Sequence, residues 1–281
     1  MRIDAHVHGM HAERNADGKL QPPLMVAWRN SDKSAATYIK QINEKGIEKV
    51  LILDPPEVTF ELHRLFGNFV IPCPQVDLDK SSPDDISKLL EKGAVGIKFI
   101  APSQPYGDDK YLPIYEVIRD YKALAVFHTG FLVHDFFDPG GVLPRETWIN
   151  INHMRPAELD RITRAFPDLK ILMAHFGNPW WEEAWTILKS NKNVYADLSG
   201  GTACTKSMNM WKELFAPNGK IHMQSISKLC YASDAGFFTS EDFPGKDVFE
   251  FYDRLYNVLQ LTDELRRKID RENILMLINK T

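Results

Sequence analysis

Gly96-Ile97-Lys98-Phe99-Ile100, then Pro113 opening the amphipathic run 114–122, then Ala125-Val126-Phe127-His128, reads as strand, helix, strand. Both strands are short and almost wholly apolar, the pattern of a parallel sheet covered on two faces. The same alternation extends in both directions. Strands are expected at 3–8, 49–53, 69–75, 96–100, 125–128, 170–175, 194–198 and 229–233. Helices are expected between them at 34–45, 58–66, 84–92, 114–122, 157–166, 180–190, 206–215 and 247–260. Gly46, Gly67 and Gly93 stop three of these helices; Pro83, Pro113 and Pro156 open three others. Strand and helix alternating eight times fit an α/β protein, a (β/α)₈ TIM barrel in a single domain spanning 1–281, with C-terminal helices from about 263.

Composition sets bounds on function. The chain has 281 residues, 44% hydrophobic and 26% charged, with formal net charge −4. That balance offers no electrostatic reason for nucleic-acid or membrane binding. Cys73, Cys204 and Cys230 are an odd, widely spaced set, which argues against a disulfide framework. The opening residues lack the apolar core of a signal peptide, and no run is long enough to cross a bilayer. A cytoplasmic setting is expected, with a homodimer the base-rate oligomer.

Chemistry concentrates at strand ends. In Asp4-Ala5-His6-Val7-His8, residues two apart share one side of a strand, so His6 and His8 face the same way and can share an ion. His128, His175 and Asp234 each end an otherwise apolar strand, and Lys98 sits within one. A polar side chain there is costly without a partner. In a barrel all these strand ends meet at one mouth. A divalent metal held by histidines and a carboxylate, with one position open, would acidify a bound water to a pKa of about 7. His175 or Asp234 would then move its proton. Long connections at 9–33 and 131–154 follow strand C-terminal ends and read as substrate loops. Arg145 and Arg155 flank the second as candidate carboxylate clamps. Trp180 is a candidate pocket wall, and Asp197 a candidate support for a ligand histidine. His11, His134 and His153 lie on loops of the same face, while His63 and His222 read as structural.

Asp-x-His-x-His on strand one, with histidines ending strands five and six and an aspartate ending strand eight, resembles the amidohydrolase superfamily. Gly96-Ile97-Lys98, Phe127-His128-Thr129-Gly130, Ala174-His175-Phe176-Gly177, Tyr195-Ala196-Asp197-Leu198-Ser199-Gly200 and Ala232-Ser233-Asp234 resemble its amidohydrolase-2 branch, which includes aminocarboxymuconate semialdehyde decarboxylase. The resemblance implies that His6, His8, His128 and Asp234 ligate a metal, with His175 as acid/base. One zinc ion is the expected cofactor, with Lys98 a cationic contact to substrate. The alternative is two ions bridged by a carboxylated Lys98, with His175 ligating the second. The implied reaction is hydrolysis of an amide, lactone or ester of a small molecule, with an anionic substrate considered. Non-oxidative decarboxylation of an aromatic or unsaturated acid is the rival. A TatD-like phosphoesterase is disfavoured, because those enzymes carry glutamate where this chain has Lys98.

Overall fold

The computed structural model describes residues 1–9, 35–132, 149–200, 204–236 and 245–279. Arg145, His11, His134 and most of the two long connections lie outside the described residues. The strands are β1 (Arg2–His8), β2 (Ile47–Ile52), β3 (Val70–Pro72), β4 (Gln75–Val76), β5 (Gly96–Phe99), β6 (Leu124–His128), β7 (Lys170–Ala174), β8 (Val194–Asp197), β9 (Leu229–Cys230) and β10 (Ala235–Gly236). Every pairing is parallel, in the orders β10-β1-β2-β3 and β4-β5-β6-β7-β8-β9.

Two expected strands are split. The third, expected at 69–75, breaks at Pro72-Cys73-Pro74, where two residues lack the N–H a ladder needs. Its first half pairs with β2 and its second with β5. Backbone bonds cross this seam: Cys73 N donates to Ile52 O at 3.1 Å, and Val95 N to Pro72 O at 2.9 Å. The eighth, expected at 229–233, splits into β9 against β8 and β10 against β1. There Ala5 N donates to Tyr231 O at 3.0 Å and Asp234 N to His6 O at 2.8 Å. Hydrogen bonds therefore run round the whole ring, and the fold is the (β/α)₈ barrel.

Helices α1 (Ala35–Glu44), α2 (Pro56–Phe66), α3 (Pro83–Glu91), α4 (Leu112–Asp120), α5 (Glu158–Ala165), α6 (Trp181–Ser190), α7 (Met208–Phe215), α8 (Met223–Ile226) and α9 (Lys246–Val258) follow the strands. Local chemistry sets their ends. Ser82 and Asp85 form a capping box ahead of α3, and Gly67, at φ 55°, closes α2. Alternate strand residues divide between two cores. Leu51, Leu53, Leu124, Val126, Leu172 and Cys230 fill the barrel. Val50, Ile52, Ala125, Phe127, Ile171 and Leu229 pack outward beneath the helices. Cys230 is fully buried, a packing role.

The C-terminal segment carries α10 (Asp263–Arg267) and α11 (Asn273–Ile278), joined by one wide turn at Lys268–Glu272. Ile274 and Leu277 of α11 join the inner core, so this segment plugs the barrel floor. Arg2 holds it there. The guanidinium pairs with Asp253 and, at 2.9 Å, with Asp270, while lying 3.8 Å over the Phe249 ring. No helix among the described residues is long and apolar enough to cross a membrane.

Candidate metal centre

A phase change in β1 creates the site. Ile3 and Ala5 belong to the inner core and Val7 to the outer one. The register against β2 slips between Asp4 and Val7, marking one extra residue. This bulge swaps the inward face from Ile3 and Ala5 to His6 and His8. The buried Asp4 carboxylate secures it, accepting from His6 N at 3.2 Å and from Ser233 N at 2.9 Å. One side chain thus ties together the two strand ends that carry His6, His8 and Asp234.

The donors converge. Asp234 Oδ1 lies 3.3 Å from His6 Nε2 and 3.2 Å from His8 Nε2. Ligand atoms of His6, His8 and Asp234 all lie within 4.8 Å of one another. The rings run in series: His8 to His6 at 5.2 Å, His6 to His175 at 4.7 Å, and His175 to His128 at 4.5 Å between centroids. His128 Nε2 is buried with no hydrogen-bond partner. A buried nitrogen is rarely left so. The triad His6, His8 and Asp234 suits a divalent ion of zinc type; His128 is not in that 4.8 Å group and adjoins it through His175, its buried lone pair free.

Support comes from behind. Asp54 Oδ1 faces His8 Nδ1 at 3.0 Å, and Asp54 Oδ2 accepts from Gly9 N at 2.6 Å. Asp197 Oδ1 accepts from His175 N at 2.9 Å and Ser199 N at 3.0 Å, while Oδ2 lies 3.6 Å from His6 Nδ1. Asp197 thus anchors the backbone of His175 and Ser199 and lies behind His6. Asp54 and Ser199 were not singled out from sequence. Asp54 carried the same signal as Asp234, a lone carboxylate closing an apolar run, and was legible. His175 and Asp234 both hold left-handed backbone, at φ 63° and 61°. That costs a non-glycine residue about 1–2 kcal/mol and is typical of functional turns.

Electrostatics agree with a cation site. Burial alone would lower His8, but hydrogen bonds to Asp234 and Asp54 overcome it and bring the group up to about 9. Burial pushes His6 down to about 3 and also lowers His175, so both are neutral imidazoles at pH 7. Burial would raise Asp234; the surrounding His175, His6 and His8 hold it far below the carboxylate range instead. Lys98 Nζ, fully buried, lies 3.4 Å from His6 Nε2, and burial lowers it to about 8.

The remaining candidates have partners of their own. Arg155 Nε pairs with Glu183 Oε2 at 3.2 Å, and its guanidinium lies 4.8 Å over the Trp180 ring. Trp180 walls a cleft of about 530 Å³ shared with Pro179, Trp181 and Met210. His153 Nδ1 lies 3.2 Å from Pro102 O, His63 Nδ1 2.7 Å from Val70 O, and His222 Nδ1 3.0 Å from Ser225 Oγ; each has a structural partner.

A sequence profile described as amidohydrolase matches residues 58–278, which include Lys98, His128, His175 and Asp234. No curated protein matches the sequence. Solved structures do match by shape. An uncharacterized TIM-barrel protein from Bordetella bronchiseptica is 14% identical with TM-score 0.69, covering 99% of this chain and 98% of that one. A 2,6-dihydroxybenzoate decarboxylase from Rhizobium is 13% identical with TM-score 0.60, covering 99% and 98%. An amidohydrolase from Burkholderia multivorans with bound zinc is 11% identical with TM-score 0.63, covering 99% of each chain. With a profile match across most of its length and this barrel beneath it, the chain belongs to the amidohydrolase family, in the amidohydrolase-2 branch.

Proposed function

We propose that this protein is a metal-dependent hydrolase acting on the carbonyl of an amide, lactone or ester in a small molecule. The observation that carries it is the convergence of His6, His8 and Asp234 donor atoms within 4.8 Å. His6, His8, His128 and Asp234 would hold one divalent ion, with zinc favoured by the donor set. When bound, such an ion polarises a carbonyl and acidifies water.

The chain's own groups supply the rest. His175, neutral through burial, takes the proton of the attacking water and returns it to the leaving group. Asp234 Oδ2, 3.9 Å from His175 Nδ1, stabilises the imidazolium that forms. Lys98 offers a buried cation to an oxyanion or to an anionic substrate. Arg155, stacked over Trp180, is offered as a further substrate contact, and the sequence reading adds Arg145 as a carboxylate clamp.

Lys98 favours a second reading. A buried ammonium beside the imidazoles suits a carboxylate substrate, and one fold neighbour is a decarboxylase. That reading is non-oxidative decarboxylation of an aromatic or unsaturated acid. The experiment is a zinc-loaded assay on panels of amides, lactones, esters and such acids, scoring hydrolysis and carbon dioxide release. Hydrolysis that disappears on chelation and returns with zinc supports the first reading. Carbon dioxide release alone selects the second, and no turnover on either panel rejects both.

A further inference from the structure

Thr129 follows His128 at the end of β6, and its fully buried side chain meets a turn that leaves the neighbouring strand β7. The turn is His175-Phe176-Gly177. All three residues hold left-handed backbone, at φ 63°, 48° and 64°. Two of them are not glycine, and such a run persists only where its surroundings dictate it.

The hydrogen bonds show what dictates it. The Thr129 hydroxyl donates to Ala174 O, just before the turn, at 2.6 Å. It accepts from Gly177 N, at the end of the turn, at 2.9 Å. Thr129 N donates to the same Ala174 O at 3.2 Å. The hydroxyl's one proton and one of its lone pairs are thus both committed to the backbone on either side of His175 and Phe176. Other contacts hold single points of the turn. His175 N donates to Asp197 Oδ1 at 2.9 Å. Phe176 packs outward against Trp211 and Phe215, at 5.9 and 5.5 Å between centroids. Thr129 joins the two ends. Without its hydroxyl, the buried Gly177 N–H loses this acceptor, and a bare buried donor favours rearrangement of the turn.

We propose that Thr129 is a positioning residue for His175. Its hydroxyl clamps the left-handed turn and so fixes the imidazole beside His128, where the ring centroids stand 4.5 Å apart. It acts through the backbone of the turn and takes no part in the chemistry. The inference rests on His175 being the acid/base of the reading above.

The test is ¹H–¹³C NMR of the histidine rings, metal-free and zinc-loaded, with His175 assigned by its absence in His175→Gln. In Thr129→Val the His175 ring signal should move by more than its line width or split, while those of His63, His153 and His222 stay in place. Thr129→Ser, which keeps the hydroxyl and loses the methyl, should return the His175 signal to its parent position. If Thr129→Val does not fold, Thr129→Ala against Thr129→Ser reads the same difference. Where turnover is followed, kcat should fall about 100-fold in Thr129→Val with KM within about twofold, and the substitution should have no further effect in a His175→Ala background. A His175 signal unmoved by loss of the hydroxyl overturns the proposal. So does a displacement shared by all the histidines, or one that Thr129→Ser fails to reverse. A protein that binds no zinc or turns over nothing rejects the functional reading alone, because the metal-free spectra still decide the role of Thr129.

Discussion

Asp54 Oδ1 stands 3.0 Å from His8 Nδ1, from the end of the neighbouring strand β2, and the other oxygen clamps the backbone of Gly9. This pair fixes which face of the imidazole is presented and makes it more basic. Asp54→Ala is expected to weaken zinc binding about 10–100-fold while leaving the thermal midpoint nearly unchanged in excess zinc. Competition with a chelator of known affinity measures it.

Removal of first-contact residues should separate binding from chemistry. His6→Ala, His8→Ala and Asp234→Ala are each expected to lose metal and turnover together. His175→Ala should lose turnover and keep its ion, if that residue moves protons instead of ligating. Metal content by mass spectrometry beside the activity assay distinguishes these outcomes. Loss of metal from His175→Ala would favour the two-ion arrangement with a carboxylated Lys98.

Gly200 borders the same cluster in left-handed backbone, at φ 82°. A Cβ there would come 3.2 Å from Asp234 Oδ2 and 3.5 Å from His175 Nδ1. Gly200→Ala is expected to cost about 1–2 kcal/mol in backbone strain and a larger share of turnover, since the carboxylate and imidazole must give way. Urea unfolding and kcat report the two effects separately.

The sequence points to a candidate site wherever a polar residue closes an apolar run. His128, His175 and Asp234 were legible because burial leaves such a side chain few roles. The broken strands were not. Pro72 and Pro74 were visible, yet whether a missing N–H ends a strand or merely shifts its partner depends on what flanks it. The bulge at Asp4–Val7 was hidden for a related reason. Simple alternation puts Ile3 and Ala5 on the face opposite His6 and His8, and only the pairing with β2 shows that both sets point inward. Ser199 escaped notice because a serine before glycine reads as an ordinary turn.

Asp79 gives a pH test away from the metal. Burial would raise this carboxyl, but Lys110, Ser103 and Tyr111 outweigh it and bring it down to about 2. A lowered folded-state value means the network stabilises the fold above the ordinary carboxylate range. The contribution is lost as pH falls from about 4 through 2. The gap in urea midpoint between the parent and Asp79→Asn should be full at pH 7 and should close toward pH 2. A gap that stayed constant across that range would show the charge to be irrelevant.

Arg2 joins the first strand to the barrel floor. Arg2→Ala should destabilise the protein by roughly 2–3 kcal/mol, because it leaves Asp270 without its cation and uncovers Phe249. Limited proteolysis should then cut first in the segment after residue 262. Cleavage elsewhere, or an unchanged urea midpoint, would show that α10 and α11 are held by other contacts.

The whole account turns on a single ion gripped by four side chains from three strand ends. Crystals of the zinc-loaded protein, with diffraction recorded on both sides of the zinc absorption edge, would locate it. The predicted result is one anomalous peak per chain within bonding distance of His6, His8, His128 and Asp234, with Lys98 a free amine. A peak elsewhere, no peak, or two peaks bridged through Lys98 would contradict it.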